Sequence, residues 1–362
     1  MRLVPDRLSH PCPRRKGPKG MTSEGPITTV LFLWAPEGGT RRYFEERLGG
    51  IENLELVIPE TDHHGRDHPL LGRAQVIVGY RPSPEQLLSA ARLKLLVNPW
   101  SGVQHLLPVL EEAGLLGSLK LANCHGNAPA AAQHTMALLL CLANRLIQHH
   151  GWMVEGRWRT GDDDAETVSL RGRKVGLLGF GHINRRVYDL LRPWEVEVHV
   201  FRRSWEGESD RPVPAPLRYR PPDLHRFLKA VNILVTALPL TGETEGMIGP
   251  GELGLLGEDG LLVNVGRGGV VDEKGLYNAL REGTIGGAAI DVWYNYRPVP
   301  DKEGRLHPTD FPFHRLPNVV LSPHRASSPR GDPRRFADVV RIVRSFHEGS
   351  EIPNLVDPDR GY

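Results

Sequence analysis

The stretch with the clearest chemical logic runs from Val175 to Leu191. An apolar run, Val175 to Leu178, leads straight into Gly179-Phe-Gly181-His-Ile-Asn184, and Ile183, Val187, Leu190 and Leu191 then recur at helical spacing. Strand, G-x-G turn and helix in that order make a pyrophosphate cradle. The first glycine permits the tight turn, the second lets backbone approach the phosphates, and His182 and Ile183 open a helix whose free N–H groups face them. The third fingerprint position holds Asn184, where Gly or Ala usually lets helix and strand pack closely. The next apolar run ends Phe201-Arg202-Arg203-Ser204. Two guanidinium groups and a hydroxyl suit a 2′-phosphate, and no carboxylate stands there to hold a ribose diol. These residues predict a nicotinamide dinucleotide site used for hydride transfer, with NADP(H) favoured over NAD(H).

Other reactive groupings carry less. Cys12, Cys124 and Cys141 form no C-x-x-C pair, so neither a disulfide framework nor a zinc knuckle is indicated, and the cytoplasm is the default compartment. His63, His64 and His68 crowd together, but Gly65 and Pro69 break any helix that would align them; Asp162, Asp163 and Asp164 are consecutive and match no calcium loop. No metal site is expected. His149 and His150 read as the polar end of a helix, and Trp152 and Trp158 as packed in a connector near the cleft.

These groups need a frame, and 362 residues are too many for one ordinary core, which predicts two domains with a cleft. The longest apolar run, Met136 to Ala143, is too short to span a bilayer. The formal charge of +2 hides a basic start: six cations against Asp6 put +5 on the first twenty residues and leave −3 for the rest. A slightly acidic body has no electrostatic footprint for nucleic acid. Residues 1–26 read as a disordered leader, without the apolar core of a secretory signal.

From Thr29 onward, Val30 to Trp34, Ala74 to Gly79, Leu93 to Asn98 and Leu119 to Asn123 read as strands, with helices over Arg41 to Leu48 and Pro84 to Ala91. Strands apolar throughout and separated by helices predict parallel pairing covered on both faces. Ala130 to Leu146 is apolar almost all round, a buried helix joining two domains, and Gly151 to Leu170 is a polar connector. A second series follows: Lys174 to Leu178, Val196 to Phe201, Val231 to Ala237, Leu261 to Val265, Ala288 to Val292 and Val319 to Ser322. Phe336, Val339, Val340, Val343 and Phe346 then make one helical stripe whose natural partner is the first domain.

With that turn in mid-chain, the sequence resembles the D-isomer-specific 2-hydroxyacid dehydrogenases, a family that includes glyoxylate/hydroxypyruvate reductases, phosphoglycerate dehydrogenases and formate dehydrogenases. Three stretches carry the resemblance: Leu238-Pro-Leu-Thr241 with Leu262-Val-Asn-Val-Gly-Arg-Gly-Gly-Val-Val-Asp272, then Gly287-Ala-Ala-Ile-Asp291-Val-Trp, then Ser322-Pro-His324. It implies an α/β fold of two doubly wound parallel sheets, a Rossmann domain (124–324) inserted into a flavodoxin-like substrate domain (27–123 plus 325–354), and a homodimer. It implies a small-molecule substrate, a D-2-hydroxy acid or its 2-oxo acid. Arg267 is similar to the arginine that holds the substrate carboxylate and polarises its carbonyl. His324 is similar to the general acid/base, and Ser101, Gly102 and Val103 to the loop whose N–H groups bind the carboxylate. Leu238, Pro239, Val265 and Gly266 are implied at the cofactor, with Asp291 beside the nicotinamide. Gln133-His134, where the family often has Glu-His, reads as domain packing.

The pattern breaks at Tyr296, where the family supplies a glutamate that accepts the imidazole N–H and raises the histidine pKa. A phenol can orient the ring but stabilises its cation less, which predicts reduction shifted toward lower pH. Formate dehydrogenases of the family carry glutamine there, so a neutral partner is compatible with hydride transfer. Asp301, Glu303 or Asp310 are alternatives for the missing carboxylate, and an NADP(H)-binding sensor without catalysis is the alternative function, with a formate dehydrogenase as a minor one.

Overall fold

The computed structural model describes residues 26–63, 66, 68–158, 166–206, 213–327 and 331–362. The basic leader up to residue 25, His64 and the Asp162–Asp164 run lie outside the described residues.

The first sheet is built from β1 (Thr28–Phe32), β2 (Leu54–Val57), β3 (Val76–Val78), β4 (Leu95–Val97) and β5 (Lys120–Ala122), with α1 (Gly38–Leu48), α2 (Pro84–Ser89) and α3 (Leu107–Glu112) in the connections. Its order is β2-β1-β3-β4-β5, parallel throughout, the flavodoxin-like doubly wound arrangement. Alternation explains the continuous apolar runs. Val30, Phe32, Val76 and Val78 enter one core, whereas Leu31, Leu33, Ile77 and Leu96 enter the core on the opposite face. The half-buried edge strand β2 and the short α3 are additions to the elements expected from sequence.

Two helices follow, α4 (Ala128–Ala143) and α5 (Leu146–Val154), the second starting after Arg145 in the left-handed region at φ 49°. Helix α4 is the expected buried helix, and Met136, Leu139 and Leu142 share a core with Val175, Leu177 and Val235 of the second sheet. Three expectations for this region change. His149 and His150 lie within α5 rather than at a helix end, residues 151–154 are helical rather than connector, and Trp158 is exposed rather than packed.

The second sheet comprises β6 (Lys174–Leu178), β7 (Glu197–Phe201), β8 (Arg218–Tyr219), β9 (Ile233–Thr236), β10 (Leu261–Asn264), β11 (Gly287–Ile290) and β12 (Val319–Leu321). Its helices are α6 (His182–Leu191), α7 (Leu224–Lys229), α8 (Pro250–Gly254) and α9 (Glu273–Arg281). The order β12-β11-β10-β9-β6-β7-β8, all parallel, is the Rossmann arrangement with one further strand. The order reverses between β6 and β9, and there the glycine turn emerges.

The chain returns to the first sheet through α10 (Ala337–His347). Phe336, Val339, Ile342 and Val343 join Val30, Phe32 and Phe44 in one core. The Phe336 ring lies 5.6 Å from Phe44, 5.7 Å from Trp100 and 6.1 Å from Trp34, centroid to centroid. The returning helix therefore closes a face of the first sheet instead of resting on it. Phe336→Ala is expected to destabilise the protein by about 3–5 kcal/mol. Urea unfolding measures this; a loss below about 1 kcal/mol would mean that α10 is peripheral.

Candidate active site

The glycine turn has the geometry its chemistry requires. Gly179 sits at φ 86°, in the left-handed region, and a Cβ there would come within 2.8 Å of Leu238 Cδ2. Gly181 caps α6, and a Cβ on it would meet nothing within 4 Å, so the turn faces open space at a helix N-terminus. Asn184 turns out to be a clamp: fully buried, its Nδ2 donates to Gly179 O at 2.7 Å, with Leu178 O at 3.3 Å and Val235 O at 3.4 Å. The side chain ties α6 to the ends of β6 and β9 instead of wedging them apart.

A cleft of about 570 Å³ opens on this turn. His182 and Ile183 line it with the glycines, Arg202, Arg203 and Ser204 stand in its wall, and Leu238, Pro239, Val265 and Gly266 bring in the ends of β9 and β10. Gly266 is required there because a Cβ would lie 2.6 Å from Leu238 O. Strand ends, bare backbone at Gly181 and cationic side chains together fit a dinucleotide.

His125 is among the lining residues that had no sequence signal. His125, in the crossing from β5 to α4, stacks on His182 with centroids 4.0 Å apart and planes at 11°, and its backbone N–H donates to Asp338 of α10 at 2.6 Å. Burial, reinforced by His182, lowers the His125 pKa to about 4. Burial also lowers that of His182, against the opposing pull of Asp338. Both rings are therefore neutral at pH 7. An unfolded histidine binds its proton near pH 6.5, whereas folded His125 refuses it until about pH 4. Its share of stability is thus full above pH 6.5 and lost as pH falls toward 4. His125→Gln is expected to flatten the loss of stability over that interval by about 2 kcal/mol. Denaturant midpoints at pH 7 and 4.5 provide the check; parallel slopes for the two proteins would refute it.

The other end of the cleft joins the two sheets. Asn98, after β4, donates to Trp100 O at 2.9 Å and Gly102 O at 2.8 Å, and Asn123 donates to Ser101 O at 2.7 Å. The two amides pin the loop carbonyls. Among the described residues no acceptor is recorded for the N–H groups of Ser101, Gly102 and Val103. Ser101 and Gly102 line the cleft, whereas Val103 is fully buried and is not part of its lining. From the other side comes Arg267, held by its own Nη1 to Gly266 O at 2.7 Å and by Asn264 Nδ2 to Arg267 O at 3.1 Å. A Cβ at Gly102 would lie 2.4 Å from Arg267 Nη2. The guanidinium thus lies against the loop with free N–H groups.

His324 stands beyond the lining of that cleft, close enough to Arg267 for the guanidinium charge to lower its pKa. Its Nδ1 is 2.8 Å from Tyr296 Oη, and the rings meet edge to face. Tyr296 Oη also receives the Trp293 N–H at 3.3 Å, and burial raises the phenol pKa, so this partner stays neutral. Burial lowers the His324 pKa first, Arg267 and Arg325 lower it further, and Asp291 opposes them. Two of the alternative carboxylates are engaged elsewhere, Asp301 and Glu303 binding Arg305 at 2.8 and 2.7 Å, and among the described residues the hydrogen bonds to His324 and Tyr296 include none from Asp310.

Asp291 lies beneath the loop that carries His324. It is fully buried and lines no part of the cleft. Its Oδ1 accepts from Ser322 Oγ at 2.5 Å and Arg325 N at 2.7 Å, its Oδ2 from Ala326 N at 3.0 Å. His134 of α4 adds Nε2 to Ser322 Oγ at 2.9 Å. This carboxylate fixes the loop that holds His324 in the left-handed region at φ 54°, a conformation that costs a non-glycine residue energy unless its surroundings enforce it. Gln133-His134 was expected only to pack. His134 also braces this loop.

Two doubly wound parallel sheets with a cleft between their strand ends, and a last helix that returns to the first sheet, define a two-sheet α/β fold. The profile of the D-isomer specific 2-hydroxyacid dehydrogenase NAD binding domain matches residues 136–326. A glyoxylate reductase of Aeropyrum pernix is 36% identical over 63% of this chain and 66% of its own. One of Thermococcus kodakarensis is 31% identical over 75% and 78%. Among solved structures, a D-isomer specific 2-hydroxyacid dehydrogenase from Xanthobacter autotrophicus, in complex with NADPH and MES, superposes with a TM-score of 0.74 at 24% identity over 93% of this chain and all of that one. An NADPH-dependent glyoxylate/hydroxypyruvate reductase from Sinorhizobium meliloti, in complex with NADP and malonate, gives 0.66 at 25% identity over 92% and 98%. The chain belongs to the D-isomer specific 2-hydroxyacid dehydrogenase family. No helix among the described residues is long and apolar enough to cross a membrane, and no group of three or more metal-ligating side chains occurs among them.

Proposed function

We propose that this protein is an NADP(H)-dependent oxidoreductase that reduces a short 2-oxo acid, glyoxylate or hydroxypyruvate in type, to the D-2-hydroxy acid. The observation that carries the reading is the meeting of Arg267 with the cleft-lining loop at Ser101 and Gly102, for whose N–H groups no acceptor is found among the described residues. A planar cation beside convergent amides is a carboxylate site, and the same guanidinium polarises a carbonyl one bond away. The bound dinucleotide supplies the hydride. His324 gives its proton to the carbonyl oxygen, and Tyr296 orients the ring through Nδ1. The relatives named glyoxylate reductases support the substrate class. Arg202, Arg203 and Ser204, with no carboxylate at the end of β7, support NADP(H).

Reduction requires the protonated imidazole, and burial beside a neutral phenol lowers its pKa below 6.5. Activity with glyoxylate and NADPH is therefore expected to fall as pH rises through a value on the acid side of 6.5. Tyr296→Glu should move that limb to higher pH by about one unit. The pH dependence of kcat/KM tests both points: coincident profiles sink the role of Tyr296, and cofactor binding without turnover on any 2-oxo acid sinks the enzymatic reading.

The assembly we propose is a homodimer through α5. None of its residues is buried, and Leu146, Ile147, Met153, Val154 and the nearby Trp158 are each more than half exposed. An apolar surface of this kind on a nucleotide-binding unit suits a second copy. Light scattering is expected to give twice the chain mass for the wild type and a monomer for Leu146→Glu/Ile147→Glu. A double variant that keeps the wild-type mass would remove α5 from the interface.

A further inference from the structure

The wall of the cleft around Arg203 is completed from the first sheet. Asn123 N–H donates to Asn354 O at 3.1 Å, Leu355 forms an antiparallel bridge with Ala122, and Val356 N–H donates to Leu121 O at 2.8 Å. Residues 354–356 thus add to β5. Beyond them the chain curls into a closed turn. Gly361 N–H donates to Asp357 O at 2.9 Å, Asp357 N–H to Tyr362 O at 3.2 Å, and Arg360 Nε pairs with Asp357 Oδ2 at 3.1 Å. Gly361 sits at φ 72°, the left-handed conformation that such a reversal needs. The turn delivers Tyr362 across the cleft to Arg203 at the end of β7. The guanidinium carbon lies 5.5 Å from the ring centroid, and Nη1 donates to the phenol oxygen.

Arg203 is thereby held but not neutralised. Among the described residues no carboxylate pairs with it, and its recorded hydrogen-bond partner is a neutral phenol. Arg202 is treated alike, with its guanidinium carbon 5.2 Å from the Trp205 ring centroid and no carboxylate recorded against it. An aromatic ring fixes the plane of a guanidinium through its face while leaving most of its five N–H donors and all of its charge for a further anion. A carboxylate in the same place would fix the plane and cancel the charge. Two stacked guanidinium groups in one wall of the cleft, with no carboxylate paired to either among the described residues, are arranged for a phosphate monoester dianion.

We propose that Tyr362 is a specificity residue of the cofactor site: reaching over from the first sheet, it orients Arg203 toward the 2′-phosphate of NADP(H), so that recognition of that phosphate draws on both sheets. The inference rests on the NADP(H) reading above and deepens it. Its physical basis is the freedom a surface arginine loses on gripping an anion, which stacking removes in advance. The discrimination then lies in the Arg203–Tyr362 pair rather than in β7 alone.

Dissociation constants for NADPH and NADH, measured by fluorescence titration of the full chain, test this in wild type, Arg203→Ala, Tyr362→Ala and Tyr362→Phe. Tyr362 is partly exposed, so the variants are expected to fold, and an unchanged Tm confirms it. Arg203→Ala should weaken NADPH by about tenfold or more and leave NADH within about twofold. Tyr362→Ala should weaken NADPH by about threefold to tenfold with NADH within about twofold, and Tyr362→Phe, which keeps the ring, should recover most of that. If Arg203→Ala is selective for NADPH while Tyr362→Ala changes neither cofactor, the cofactor reading stands and the role of Tyr362 is overturned. Equal losses for NADPH and NADH in Tyr362→Ala overturn it too, by reducing the residue to a wall of the cleft. If Arg203→Ala has no selective effect, the NADP(H) reading itself fails and takes this inference with it.

Discussion

The approach of Gly102 to Arg267 sets the separation of the two sheets at one end of the cleft. No side chain fits between them, since even a methyl group on Gly102 would overlap the guanidinium. Each partner is fixed in its own layer: the loop by Asn98 and Asn123, the arginine by Gly266 and Asn264. Because both loops leave the carboxyl ends of parallel strands, the groups that would grip a carboxylate converge without any insertion dedicated to them.

A division of labour surrounds His324. In one arrangement a carboxylate beside the imidazole both aims the ring and raises its basicity. Here those duties are separated. Tyr296 aims the ring, while the nearest buried carboxylate, Asp291, is occupied with backbone N–H groups and Ser322. The left-handed backbone at His324 is upheld by that network, and the basicity of the ring is set by burial and the nearby cations, which lower it, against the charge of Asp291, which raises it.

What the sequence disclosed follows from how locally each feature is determined. Central strands buried on both faces announce themselves as unbroken apolar runs, and the turn at Gly179 and Gly181 is legible because backbone conformation and close approach demand glycine. The half-buried β2, carrying Glu55, and the two-residue β8 lack such a signal. Asn184 looked like a misfit because helix and strand usually want a small residue there; only the positions of three carbonyls from two strands show it to be a clamp. His125 on His182, Asp291 under the histidine loop and Tyr362 on Arg203 are meetings of distant parts of the chain. In each, a residue of ordinary type takes its role from what the fold sets against it.

Helix α4 starts next to the crossing where His125 meets His182 and Asp338, and two turns later its His134 grips Ser322 beneath the histidine loop. From Ala128 to His134 the helix rises only about 9 Å, and an α-helix does not bend appreciably over that length. It is a short, stiff segment with one end at the joint between the sheets and His134 under the loop of His324. One unbroken helical segment thus spans from the joint between the sheets to the loop that carries His324.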